Sequence, residues 1–212
     1  TGFEPAATVP GTIGGAVVGN AGCYGWEIQD NVEQVRILDY SGPQPVVRSL
    51  GLGQLEYRYR ESVLKRLAAA VLTATLWFRR GEPQAIATRI ADCKARRAAA
   101  QPLGNRSAGS FFKNVTPPPA ALEQHPELRQ AVDQRGLIAA GYLLDRAGCK
   151  GMRFGGAEIS EKHANFVITT GSATSTDIIQ LAWQMRAKVL ERFHIALEAE
   201  VRFIGFPTHP LL

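Results

Sequence analysis

The stretch VPGTIGGAVVGNAGCYG, Val9–Gly25, holds six of the chain's 21 glycines, and its reading governs everything that follows it. Glycine leaves the backbone bare, so N–H groups can face a phosphate or the chain can pass close to a planar ring. The segment contains neither GxxxxGK[ST] nor GxGxxG, and no strand pattern precedes it. It therefore lacks the phosphate-reaching lysine of a P-loop and the strand that seats a Rossmann turn. A tight glycine-rich turn beneath a helix accounts for it equally well.

Working outward, VEQVRILDY (Val32–Tyr40) alternates apolar and polar side chains, and AAVLTATLWF (Ala69–Phe78) is continuous and β-branched enough for a buried strand. Between them SLGLGQLEYRYRESVLK has a polar, arginine-rich middle that suits a connection. After Gly81, EPQAIATRIADCKARRAAA predicts a helix with Pro83 in its first turn and basic residues toward its last. QPLGNRSAG then breaks the pattern and marks a domain boundary, giving domains over 1–103 and 104–212.

In the second part GSFFKNV reads as a short strand leaving a glycine turn, and TPPPAALEQHPE as a proline-rich surface excursion. LIAAGYLLDRAGCKG predicts a helix stopped at Gly148, with Leu137, Ala140, Gly141, Leu144 and Ala147 on one stripe. ANFVITTG predicts a strand, and STDIIQLAWQMRAKVLERF a long amphipathic helix capped at Ser175 or Thr176. The last element, ALEAEVRFIGF, turns Leu197, Ala199, Val201 and Phe203 one way and Glu198, Glu200 and Arg202 the other. Strands and helices mix without a βαβ repeat, so the expected fold class is α+β rather than a doubly wound sheet.

The net charge of +5 and a pI near 9.3 suit an anionic ligand, a nucleic acid or nothing in particular. No block of five like charges and no aromatic-interleaved basic stripe appears, which argues against nucleic acid and for a slightly basic soluble enzyme. Cys23, Cys93 and Cys149 are odd in number, widely spaced and without CxxC, so neither a disulfide framework nor a metal site is expected, and a cytoplasmic location fits best. No apolar run is long enough to span a membrane.

The residues able to carry chemistry are weak signals one by one. EYRYRES sets arginines close together in a loop, and a guanidinium fork is suited to a carboxylate. Ser110 follows a glycine without a G-x-S-x-G elbow, which leaves it unsupported as a hydrolase nucleophile but able to donate a proton. Glu198 and Glu200 sit where surface carboxylates are common, and His163 has no second ligand at metal spacing.

Their order along the chain is specific. VPGTIGGAVVGNAGCYGWEI, YRYRESVLK, GSFFKN, AGYLLDRAGCKGMRFGGAEISEKHANFVI and LEAEVRFIG, taken together from Pro10 to Gly205, resemble the UDP-N-acetylenolpyruvoylglucosamine reductase family. The resemblance implies a vanillyl-alcohol-oxidase type of FAD-binding fold: a second flavin-binding subdomain over 1–103, and over 104–212 an α+β substrate domain whose last strand, about 197–205, returns to the active site. It implies that NADPH reduces FAD and that hydride then passes to UDP-N-acetylglucosamine enolpyruvate, giving UDP-N-acetylmuramate for peptidoglycan. Hydride arriving at one alkene carbon leaves charge on the other, delocalised into the carboxylate, so the site needs a cation or hydrogen bonds and then a proton. By resemblance, Arg60 and Glu200 flank that carboxylate and Ser110 is the proton donor. Pro10, Gly11, Thr12, Gly14, Gly15, Asn20, Gly22 and Tyr24 are implied as cofactor contacts. Lys113, Asn114, His163 and Arg97, the last in the basic tract with Lys94 and Arg96, are implied on the UDP-sugar side.

The short interval from Arg60 to Ser110 resembles the family's second type, which lacks an extra tyrosine-bearing loop. Family members carry a further N-terminal flavin subdomain with a glycine- and serine-rich turn, and no such turn occurs in these 212 residues. The expectation is therefore weak or no FAD retention and little turnover by this chain, with an active full-length parent, as a monomer without nucleic-acid or membrane partners. A UDP-sugar-binding remnant, and an FAD oxidoreductase of the same fold with another substrate, are the alternatives.

Overall fold

The computed structural model describes residues 1–211, and the chain divides into two compact units, Thr1–Ala99 and Ala100–Leu212. Strands and helices mix in both, as the α+β expectation holds.

In the first unit a 3-10 turn, Glu4–Thr8, leads into α1, Ile13–Gly19. Thr12 caps this short helix by accepting the Gly15 N–H on its Oγ1 at 3.1 Å, so the glycine-rich stretch is a turn that opens a helix with no strand before it. A two-residue ladder follows, β1 (Gly22–Cys23) with β2 (Trp26–Glu27), closed by Tyr24 and Gly25 at φ +54° and +81°. Two positive φ angles match the twist of a tight hairpin. Gly22 is required for a different reason: a Cβ there would lie 2.4 Å from the Trp26 carbonyl oxygen.

The unit's main sheet has β3 (Val32–Asp39) between β4 (Val46–Gly51) and β5 (Ala69–Leu76), all antiparallel. The alternation read along β3 is interrupted. Val32 and Val35 are both buried because an extra β3 residue sits opposite the Leu76–Thr75 step, a bulge that shifts the inward face by one position. A second irregularity, on β5, leaves Leu72 and Thr73 both exposed. The expectation of a buried strand at Ala69–Phe78 is thus corrected: β5 is a half-buried edge strand and ends at Leu76. β4 occupies part of the connection the sequence suggested, and four of its six residues are exposed, which is why no periodicity announced it. Val17 of α1 packs with Trp26, Ile28, Val35, Ile37 and Leu64 in the core. Buried Asp39 closes β3 with bonds from Ser41 Oγ and Arg48, and these, Ser41 first, hold its carboxyl down at about 2. The helix α2 runs over Pro83–Ala100.

The second unit is built on a four-stranded antiparallel sheet in the order β6 (Arg106–Ser110), β9 (Phe166–Thr169), β8 (Ala157–Ile159), β7 (Arg153–Phe154). The proline-rich excursion contains α3, Pro119–Gln124, and a 3-10 turn, Pro126–Ala131, each begun by a proline whose fixed φ suits a first turn. α4 is Ala140–Arg146, shorter than expected at its start, because Ile138 is drawn into extended bridges with Val115 and Val132. α5, Ser175–Phe193, buries Leu181, Ala182, Met185 and Val189 as one stripe. Its cap is Thr174, one residue ahead of the expected Ser175: Thr174 Oγ1 accepts from Asp177 N–H while the Asp177 carboxylate accepts from Thr174 N–H. The terminal ALEAEVRF is extended and bridges at Ala199 without forming a regular strand, yet Leu197 is buried and Val201 and Phe203 pack on the core as the alternation required.

Candidate functional site

The glycine-rich stretch borders a cleft of about 290 Å³ whose walls include Phe3, Pro10, Gly11, Ile13, Gly15 and Trp26. Apolar rings beside bare glycine backbone receive a flat aromatic group, and the volume lies at the lower end for small-molecule sites. These residues fit one ring system of a flavin rather than a whole dinucleotide. The Gly15 N–H is already committed to Thr12, and Tyr24 stands exposed at the hairpin tip.

Asn20 sits apart from its glycine neighbours. It is fully buried, in the left-handed conformation at the end of α1. Its Nδ2 donates to Glu27 Oε2 at 2.7 Å and to the Arg58 carbonyl at 3.0 Å, and its Oδ1 accepts from Gln29 N–H at 3.3 Å. Gly22 is half-buried, and its carbonyl accepts from Arg60 NH2 at 2.7 Å. The guanidinium of Arg60 also lies over the Tyr59 ring at 4.9 Å, a stacking that orients it further. On α2, Lys94 and Arg96 are exposed, while Arg97 is half-buried in line with Ile86, Ile90 and Cys93.

In the second unit Ser110 closes β6 opposite Phe166, just after a bulge in which Gly109 adopts φ +87°. A positive φ at this point turns the strand without steric penalty only for glycine, and it sets the direction of the next side chain. The residues after Ser110 lie between two other segments. Phe111 N–H donates to the Asn165 carbonyl at 2.8 Å, while the Phe111 carbonyl accepts from Glu200 N–H at 2.8 Å. Lys113 N–H donates to the Glu198 carbonyl at 2.9 Å, and Lys113 Nζ reaches Glu198 Oε1 at 2.6 Å. The two glutamates thereby part company: Glu198 is exposed and paired with Lys113, whereas Glu200 is half-buried. The structure brings Ser110, Lys113 and Glu200 to one stretch of paired backbone.

Asn114 and His163 are placed by α4. The Asn114 Oδ1 accepts from Ala140 N–H at 3.2 Å, supplying from outside the helix an acceptor for one of its first free donors. His163 packs against Gly141 of α4 and the Phe166 ring. Burial, with Lys150 adding to it, pushes its imidazole below the usual range, and its Nδ1 accepts from Asn165 N–H at 3.2 Å. The acceptor role at Nδ1 leaves the ring proton on Nε2.

Sequence reasoning missed Asn165. It is 2% exposed, and its side chain bonds Phe112 twice, Oδ1 accepting from Phe112 N–H at 2.9 Å and Nδ2 donating to the Phe112 carbonyl at 2.8 Å. The available signal was a lone amide between the apolar Ala164 and Phe166 at the entrance to a buried strand. Such a residue must find internal partners. Among the described residues no group of three His, Cys, Asp or Glu side chains is arranged to hold a metal, and no helix is long and apolar enough to cross a membrane.

Residues 101–204 match the family model described as UDP-N-acetylenolpyruvoylglucosamine reductase, C-terminal domain. The chain is 40% identical over 210 residues to the UDP-N-acetylenolpyruvoylglucosamine reductase of Lachnoclostridium phytofermentans, covering 99% of this chain and 60% of that protein. It is 39% identical over 207 residues to the enzyme of the same name from Acidiphilium cryptum, covering 98% and 59%. The crystal structure of UDP-N-acetylenolpyruvylglucosamine reductase from Thermus caldophilus matches 95% of this chain and 64% of its own, with a TM-score of 0.73 and 29% identity. The chain thus spans about 60% of the length of the curated relatives it matches.

Proposed function

We propose that the chain belongs to the UDP-N-acetylenolpyruvoylglucosamine reductase family and carries the proton-donating and substrate-holding residues for reduction of UDP-N-acetylglucosamine enolpyruvate to UDP-N-acetylmuramate, a step of peptidoglycan precursor synthesis. The observation that carries this reading is the pairing of GSFFKN with the EAEV segment, which sets Ser110 and Glu200 on neighbouring backbone in the second unit. Pro10, Gly11, Gly15 and Trp26 would hold the ring of an FAD, which, reduced by NADPH, would supply the hydride.

The chain's own residues then have distinct tasks. Arg60 receives the substrate carboxylate, where a planar fork holds both oxygens and stabilises the charge that develops there. Ser110 Oγ–H gives its proton to the alkene carbon that the hydride does not reach, so the double bond gains one hydride and one proton and the product is neutral at both carbons. Glu200 stands beside the same reacting group. Lys113, Asn114, His163 and Arg97 hold the UDP-sugar; for His163 this means donation from Nε2–H, since Nδ1 is occupied by Asn165.

Supplying FAD, NADPH and UDP-N-acetylglucosamine enolpyruvate to the purified chain tests the reading. UDP-N-acetylmuramate in low yield, detected by mass spectrometry and dependent on all three, is the expected result, since FAD is held weakly and turnover is small. Absence of product at saturating FAD, with substrate bound, would assign these residues to binding alone.

A further inference from the structure

The loop that carries Arg60 is an unusual way to present a guanidinium. Arg58 N–H bonds the Glu61 carbonyl and Glu61 N–H bonds the Arg58 carbonyl, both at 3.0 Å, closing a four-residue turn in which Arg60 takes φ +56°. A side-chain-bearing residue stays in that conformation only where its surroundings over-determine it. The anchors are found at the end of α1. Ser62 Oγ donates to the Val18 carbonyl at 2.7 Å, and Arg60 donates to the carbonyls of Gly22 at 2.7 Å and Asn20 at 3.4 Å. Asn20 Nδ2 donates to the Arg58 carbonyl, the same oxygen that closes the turn, so both of its lone pairs are engaged.

We infer that Asn20 is a positioning residue for Arg60. Its buried amide fastens the base of the turn, its own carbonyl accepts from the guanidinium, and its bonds to Glu27 and Gln29 tie both to the β1–β2 hairpin. Asparagine suits the place because Asn20 itself needs φ +44°, a conformation it tolerates better than other side chains do. The consequence is a guanidinium plane set before substrate arrives, which lowers the ordering cost of binding a carboxylate. This inference rests on the proposed role of Arg60 as the carboxylate receiver.

The test is titration calorimetry with two probes, UDP-N-acetylglucosamine enolpyruvate and UDP-N-acetylglucosamine, on the full chain with FAD supplied. Asn20→Gly removes the amide and keeps the left-handed backbone; should it not fold by circular dichroism, Asn20→Asp, which loses both donors, takes its place. The wild type is expected to prefer the carboxylate-bearing probe, and the variant to lose about tenfold of that preference while its affinity for the other probe changes less than about twofold. In an Arg60→Ala background the Asn20 substitution should have no further effect. Equal weakening of both probes, an unchanged preference, or an effect that persists without Arg60 would overturn the inference. A wild type that shows no preference would overturn the role of Arg60 itself, and the inference with it, and that result is read before any Asn20 variant is made.

Discussion

Asn165→Ala removes a side chain of the second unit that alone holds two buried backbone groups. The amide satisfies both the N–H and the carbonyl of Phe112, a residue with no solvent exposure, at 2.9 and 2.8 Å. Alanine would leave both backbone groups buried without that partner. Each such group costs about 1–3 kcal/mol, so the pair sets a range of about 2–6 kcal/mol. Relaxation of the strand toward water recovers part of it, which places the expected loss near 3 kcal/mol. At an m-value of about 2 kcal/mol per molar, typical for urea, the unfolding midpoint followed by circular dichroism should fall by roughly 1.5 M. Hydrogen exchange should report the same event locally, with faster exchange at Phe111 and Phe112 than at β8. A midpoint shift below about 0.3 M would mean that the Phe112 groups find equivalent partners without Asn165, against this expectation.

Three further substitutions follow from the structure. Burial keeps His163 neutral, so the unfolded chain takes up a proton near the ordinary value of 6.5 while the folded chain resists. Stability from this residue is complete above that pH and declines as pH falls below it, whereas Glu4 and Asp39, both held at about 2, contribute stability that is lost only on further acidification below about 4. Urea unfolding at a series of pH values from 7 to 5 should therefore show a decline that His163→Gln flattens, and an identical decline in the variant would contradict it. Thr174→Ala removes the cap of α5 and should cost about 1 kcal/mol, a fall in Tm of roughly 2–4 °C. Asp177→Ala should cost more, since that carboxylate also accepts from Gly156 N–H at 3.3 Å; the order of the two melting temperatures checks this.

The parts of the fold legible in the sequence were those whose period survives folding. The helices at 83–100 and 175–193 declared themselves because one face of each carries the apolar residues, the strand at 32–39 because its alternation resumes after the bulge, and the strand at 166–169 because its apolar run is short and continuous. β4 did not, since Val46 and Val47 are exposed and Leu50 alone is buried, and the two bulges along β3 and β5 displace the pattern by a residue. The surface excursion at 116–127 holds helical turns that its sequence did not announce, each begun by a proline.

The site was legible in the same uneven way. Ser110, Lys113 and Glu200 could be named because their motifs are contiguous, but the partner that separates Glu198 from Glu200 is Lys113, a contact set by strand pairing that no local pattern encodes. Asn20 could be picked out and not understood: its bond to Arg58 joins residues 38 positions apart. Asn165, 53 positions from Phe112, was hidden for the same reason.

The proton-donor role of Ser110 is the claim on which the rest depends. Ser110→Ala should be assayed beside the wild type with FAD, NADPH and UDP-N-acetylglucosamine enolpyruvate, following NADPH-driven bleaching of the flavin and formation of UDP-N-acetylmuramate as separate signals. If Ser110 is the proton donor, flavin reduction proceeds at the wild-type rate while product formation falls by about 10²-fold or more, the usual worth of a positioned general acid. Product formed by the variant at close to the wild-type rate would contradict it.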